Sequence, residues 1–209
     1  MDTVNLRTII ANAIHHEHQT GELSQLLRGR LHKLHCAITP SASNLLDFVT
    51  RYVTRLPDIL DAMRDLGERQ GTDDKAEDLI KSCCELFSRP PAVLRGHQGL
   101  NGAMNSAYMA HRLIEETSDL HLVSHGIALI PLDSTRSNLV IHQLIGESFA
   151  NQLDSAVNLL AREIIGRWPE AAAAEGASQP SLTEELLQRW PCLQDSLAGD
   201  IFHLPASVH

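Results

Sequence analysis

Four side chains stand where a helical protein usually keeps apolar ones: Glu17, His111, Glu115 and His142. Ala103, Ala107, His111, Ile114 and Ser118 recur at helical spacing and so share one face. Glu115 follows His111 at i+4, which puts both side chains on one side of the helix. His142 falls three residues after Leu139 and three before Ile145, again on an apolar stripe. Glu17 lies four residues past Ala13 on the stripe of the first helix, inside the run His15-His16-Glu17-His18. A polar group on a core face must be hydrogen-bonded, paired or metal-bound. Buried without a partner, it costs roughly 1–3 kcal/mol.

Two imidazoles and two carboxylates converging from three helices would suit iron, manganese or zinc. Carboxylate-rich sites in helical bundles commonly hold paired metals. The sequence therefore nominates Glu17, His111, Glu115 and His142 as metal ligands. His16, His18 and Asp119 are held in reserve, and Asn138 and Asn151 are supporting groups. The competing expectation is structural. His111 would pair with Glu115 or Glu17 in a buried network, His142 would be a satisfied core histidine, and His15 to His18 a solvated face. The candidate set is superficially similar to the ferritin-like di-iron bundles. Their Glu-x-x-His spacing occurs nowhere in the chain, so no family residues are carried over.

The elements that must position these residues are helices. Apolar residues make up 43% of the 209 residues and aromatics 4%, so Leu and Ala carry the core and favour helix. The spacing predicts a first helix from about Asn5 to Leu34, stopped by Pro40. A second, capped by Ser43 or Asn44, runs to about Leu66 with Pro57 expected to kink or break it. A third, capped by Thr72 or Asp73, ends at Pro90 and Pro91. A fourth covers Leu100 to Leu120, and His125 to Leu132 reads as a loop. A fifth, capped by Asp133 or Ser134, continues to Arg167 with Leu139, His142, Ile145, Phe149, Leu153, Ala156 and Leu160 on its inner face. Ser181 and Glu184 form a capping box for a short last helix ending before Pro191.

The expected fold is thus all-α, a bundle or orthogonal array of about five main helices plus a short C-terminal one. The expected organisation is a bundle over residues 1–167, a linker over 168–181, and a short helix and tail over 182–209 packing on the bundle.

A net charge of −9 repels phosphate backbones, so no nucleic-acid partner is expected. Arg28, Arg30, His32, Lys33 and His35 read instead as a solvated face. No apolar run approaches the ~20 residues that span a bilayer, so no membrane partner is expected either. Met1 to Arg7 shows no export signal, and the four cysteines form no C-x-x-C pair. Free thiols and a cytoplasmic location follow as expectations. Leftover apolar helix faces make a homodimer the expected assembly.

Two functions remain open. One is a metal-binding helical bundle, a di-iron or mononuclear oxidoreductase, acting on a substrate the residues do not identify. The other is a non-enzymatic interaction or regulatory protein whose histidines are structural or pH-responsive.

Overall fold

A computed structural model describes residues 2–31, 41–126, 128–168 and 180–194. Among them are eight α-helices and no strand: α1 (Thr3–Thr20), α2 (Glu22–Arg30), α3 (Ala42–Gln70), α4 (Asp73–Ser88), α5 (Gly99–His125), α6 (Thr135–Ile145), α7 (Glu147–Arg167) and α8 (Pro180–Arg189). Short 3₁₀ turns cover Ala92–Leu94 and Pro191–Leu193. The all-α expectation holds. None of the described helices is long and apolar enough to cross a membrane. Cys83, Cys84 and Cys192 are free thiols.

The centre of the bundle is α5. It packs against α7, α1, α4 and α3, and more lightly against α6. Its inner stripe of Ala107, Ala110, Leu113 and Ile114 is fully buried, and small alanines let neighbouring helices approach. The largest contribution to the core comes from α3, with Leu45, Phe48, Tyr52, Leu56, Ile59, Leu60 and Met63 all enclosed.

Four expectations about helix limits change, each for a local reason. The single first helix is two, because Gly21 adopts φ +63° and ends α1 with its N–H on the Glu17 carbonyl. A left-handed residue is a common helix stop, and glycine takes it without strain. The expected run to Leu34 passes into residues 32–40, outside the described part. The fifth helix is also two, divided at Gly146 with φ +98°. That break turns the expected inner face. Leu139 is 58% exposed, and α6 buries Val140, Ile141 and Leu144 instead. Conversely, Pro57 does not break α3. Proline removes one backbone bond inside a helix, but here the residue and its neighbours Leu56 and Ile59 are buried, and packing holds the turn together. Ser41, rather than Ser43 or Asn44, caps α3 by accepting the Asn44 N–H at 3.1 Å.

Two arginines tie distant segments to the bundle. Arg30 of α2, expected on a solvated face, is half-buried and donates to the carbonyls of Leu144 and Ile145 at the end of α6. Those last-turn carbonyls lack helical partners, and a cation there also meets the negative end of the helix dipole. Arg55 of α3 donates to the carbonyls of Cys192 and Gln194. The Arg189–Asp65 and Arg69–Glu185 pairs and the buried Leu186 and Leu193 hold the same C-terminal segment against α3. Most of the expected linker, residues 169–179, lies outside the described part, as do the Ser181 side chain of the expected capping box and the tail from 195 to 209.

Candidate functional site

The four nominated residues are buried or half-buried but do not meet at one point. Among the described residues, no group of three or more His, Cys, Asp or Glu side chains is placed to hold a metal ion.

Glu17 is 4% exposed, and its partners are local. One carboxylate oxygen accepts the Leu23 N–H at 2.8 Å; the other accepts the Ser24 N–H at 2.9 Å and the Ser24 hydroxyl at 2.8 Å. These amides belong to the first turn of α2, whose own N-cap, Gly21, has no side chain to offer. Glu17 therefore caps α2 from the preceding helix, where a negative charge also meets the positive end of the helix dipole. Around it, His15 and His18 are exposed, and His16 stands 3.7 Å from Glu22.

His111 is 1% exposed. Its Nε2 lies 3.4 Å from the Tyr52 carbonyl oxygen, and its ring packs on the Tyr52 ring with centroids 4.3 Å apart. With Nε2–H donating, Nδ1 is left as an acceptor with no partner among the described residues. Burial, reinforced by the charge of Arg55 and only partly opposed by the Tyr52 carbonyl, lowers its pKa to about 3. This imidazole is neutral at physiological pH.

Glu115 and His142 do share a cavity, of about 280 Å³, between α5, α6 and α7. Glu115 is held by Arg112 (2.7 Å), the Asn138 amide (2.8 Å) and the Ser134 hydroxyl (2.5 Å). His142 sits 3.1 Å from the Asn151 side-chain oxygen and 3.9 Å from Asp154. Asp154 in turn accepts the Tyr108 hydroxyl at 3.0 Å and pairs with Arg112 at 3.4 Å. Burial, then the neighbouring Asp154 carboxylate, pushes the Tyr108 pKa up, so its hydroxyl stays a donor. Burial works against the charge on Arg112, but the Glu115 carboxylate and then Asp154 raise its pKa above the ordinary value.

The network continues inward. Asn138 accepts the Tyr52 hydroxyl at 2.6 Å, and Tyr52 carries His111 on its ring. His111, Glu115 and His142 are thus stations along one polar chain through four helices, not members of one coordination sphere. Glu17 stands outside it.

Sequence reasoning missed Tyr108, Arg112 and Asp154. A signal existed for the first two. Tyr108, Arg112 and Glu115 recur at i, i+4 and i+7, one stripe of α5. Asp154 follows Leu153 on α7, whose register the spacing misplaces because the break at Gly146 is invisible to periodicity alone.

Comparisons with family models, with curated proteins and with solved structures find no match to this chain.

Proposed function

We propose that this chain is a non-enzymatic binding protein of the regulatory class, with the α5–α6–α7 cavity as its receptor for a small polar molecule. One observation carries this. The cavity's charged groups are bonded to one another, Asp154 to Tyr108 and Arg112, and Arg112 to Glu115, around open space of about 280 Å³. Such a lattice is rigid and recognises by hydrogen bonding. It presents no activated nucleophile, since Tyr108 is held protonated by burial and by Asp154.

Two carboxylates face one guanidinium, so the remaining field is negative and favours a ligand with an ammonium head. Leu139 offers that ligand an apolar wall. The metal-binding alternative keeps one observation in its favour: Glu115, His142 and Asp154 line the same space. Against it, Arg112 already pairs with both carboxylates, and a metal ion would have to displace that fixed cation.

The test is titration of the full chain with n-butylamine, n-butanol and butyrate, and separately with Mn²⁺, Fe²⁺ or Zn²⁺, read by calorimetry and by the shift in Tm. The amine is expected to raise Tm with concentration, as ligand linkage requires, and Asp154→Asn is expected to abolish the rise. Indifference to the amine overturns the proposal. Stoichiometric metal binding that Glu115→Gln or His142→Ala removes would establish the metal reading instead.

A further inference from the structure

The chain carries three lysines: Lys33, Lys75 and Lys81. Lys33 lies outside the described residues. Lys81 is exposed on α4, whereas Lys75 is half-buried in the first turn of the same helix. The Lys75 Nζ lies 3.0 Å from the His121 Nε2 and 5.7 Å from the centre of the Trp168 ring. His121, 4% exposed, meets the indole edge-on with centroids 6.0 Å apart. The indole is itself fixed, its Nε1–H donating to Asp78 at 3.0 Å. Among the described residues no carboxylate forms an ion pair with Lys75; Asp78 is taken up by Trp168 and by Arg167 at 3.2 Å.

This setting differs from that of an ordinary surface lysine. An amine attacks only after losing its proton, and burial, which disfavours the charged form, lowers the pKa of Lys75. Among the described residues, the charged and titratable groups beside it in space or along its own helix are His121 from α5, Asp73, Asp74 and Asp78 of α4, and Arg167 of α7, which pairs with Asp78. The aspartates favour the ammonium form. Desolvation and the positive end of the α4 dipole oppose it. The imidazole 3.0 Å away is within reach to accept the proton, the arrangement that activates a lysine nucleophile.

We propose that Lys75 is an acyl-acceptor site, a lysine that His121 activates to take the acyl group of a small acyl thioester. The free amine attacks the thioester carbonyl carbon. The C–N bond forms and the C–S bond breaks. The thiolate leaves with its electron pair, and the proton released by Nζ passes through the His121 Nε2 to the sulfur. No oxidant or reductant enters. The product amide is neutral, so the cation over the Trp168 ring is lost where α7 ends.

Lys81, six residues further along α4, is the internal control. Full-length chain is incubated with acetyl-coenzyme A and no enzyme at pH 8, and acetylation at both lysines is followed by peptide mass spectrometry. Lys75 is expected to react about tenfold faster than Lys81 or more. In His121→Gln that ratio is expected to fall to about one, with the Lys81 rate unchanged. A Lys75 rate at or below that of Lys81 overturns the proposal, and so does a ratio that survives His121→Gln. Should that variant fail to fold, the wild-type ratio decides: it must rise as the pH is lowered from 9 to 7, and a flat ratio overturns the site.

Discussion

Two glutamates enclosed in the same bundle are used in opposite ways. Glu17 at the α1–α2 corner spends both oxygens on the backbone and hydroxyl of residues six and seven positions away. Glu115 at the α5–α6–α7 cavity bonds side chains from two helices and borders open space. Both look alike in the sequence, an acid beside histidine on an apolar stripe. What separates them is the company of their oxygens. A carboxylate satisfied by main-chain N–H groups builds structure, while one satisfied by side chains can exchange a partner for a ligand. Removing Glu17 should therefore cost stability and leave the cavity intact. Glu17→Ala strips three hydrogen bonds, all to one buried carboxylate, and leaves two amides in the first turn of α2 without that partner. The expected loss is about 3 kcal/mol in urea unfolding. A loss below ~1 kcal/mol would mean that water replaces the cap, and the contrast between the two acids would collapse.

The next largest effect concerns the inner end of the cavity network. His111 is neutral in the folded chain, with a pKa of about 3 against the ordinary 6.5. The unfolded chain takes up a proton as pH falls below about 6.5, whereas the folded chain does not until about pH 3. Stability is thus full above about 6.5 and is lost as the pH falls towards 3. The expected loss is roughly 2 kcal/mol by pH 5, at about 1.4 kcal/mol per pH unit. His111→Phe, which keeps a ring against Tyr52, should flatten that slope when urea midpoints are measured from pH 7 to 4. An unchanged slope would assign the acid sensitivity elsewhere.

A smaller effect tests whether the cavity acids work as a unit. Arg112 bridges Glu115 and Asp154. A double-mutant cycle between Arg112→Ala and Glu115→Ala should give a coupling of about 1 kcal/mol, modest because the Arg112 side chain is 31% exposed. The cycle between Arg112→Ala and Glu17→Ala should be additive, because the two sites share no bonded partner. Coupling in the second cycle would erase the distinction between the regions.

The sequence made helix content and most of the core legible, because periodicity reports burial directly. The face Ala103, Ala107, His111, Ile114 and Ser118 is buried as its spacing predicts, and Glu17 is enclosed as its place on the stripe predicts. Asn138 and Asn151, expected to support the site, bond Glu115 and His142. What spacing could not convey was direction. Burial says that a polar group needs partners, not which ones, and Glu17 found its partners across the turn at Gly21. A break such as Gly146 also rotates everything beyond it, which brought Asp154 to the cavity unannounced.

That rotation yields the smallest and sharpest prediction. As a member of a continuous fifth-helix stripe, Leu139 would be core, and Leu139→Ala would cost about 2–5 kcal/mol. At 58% exposure on the cavity wall, it has little apolar burial to lose. The expected change is within about 0.5 kcal/mol, the range of ordinary surface substitutions. The same variant should weaken any amine bound beside Asp154, because the wall that covers the alkyl part is gone. Stability and binding therefore separate at Leu139, just as they separate between Glu17 and Glu115. A large stability loss on Leu139→Ala would show that α6 packs in the register of one unbroken helix, and the cavity with its polar chain would have to be redrawn.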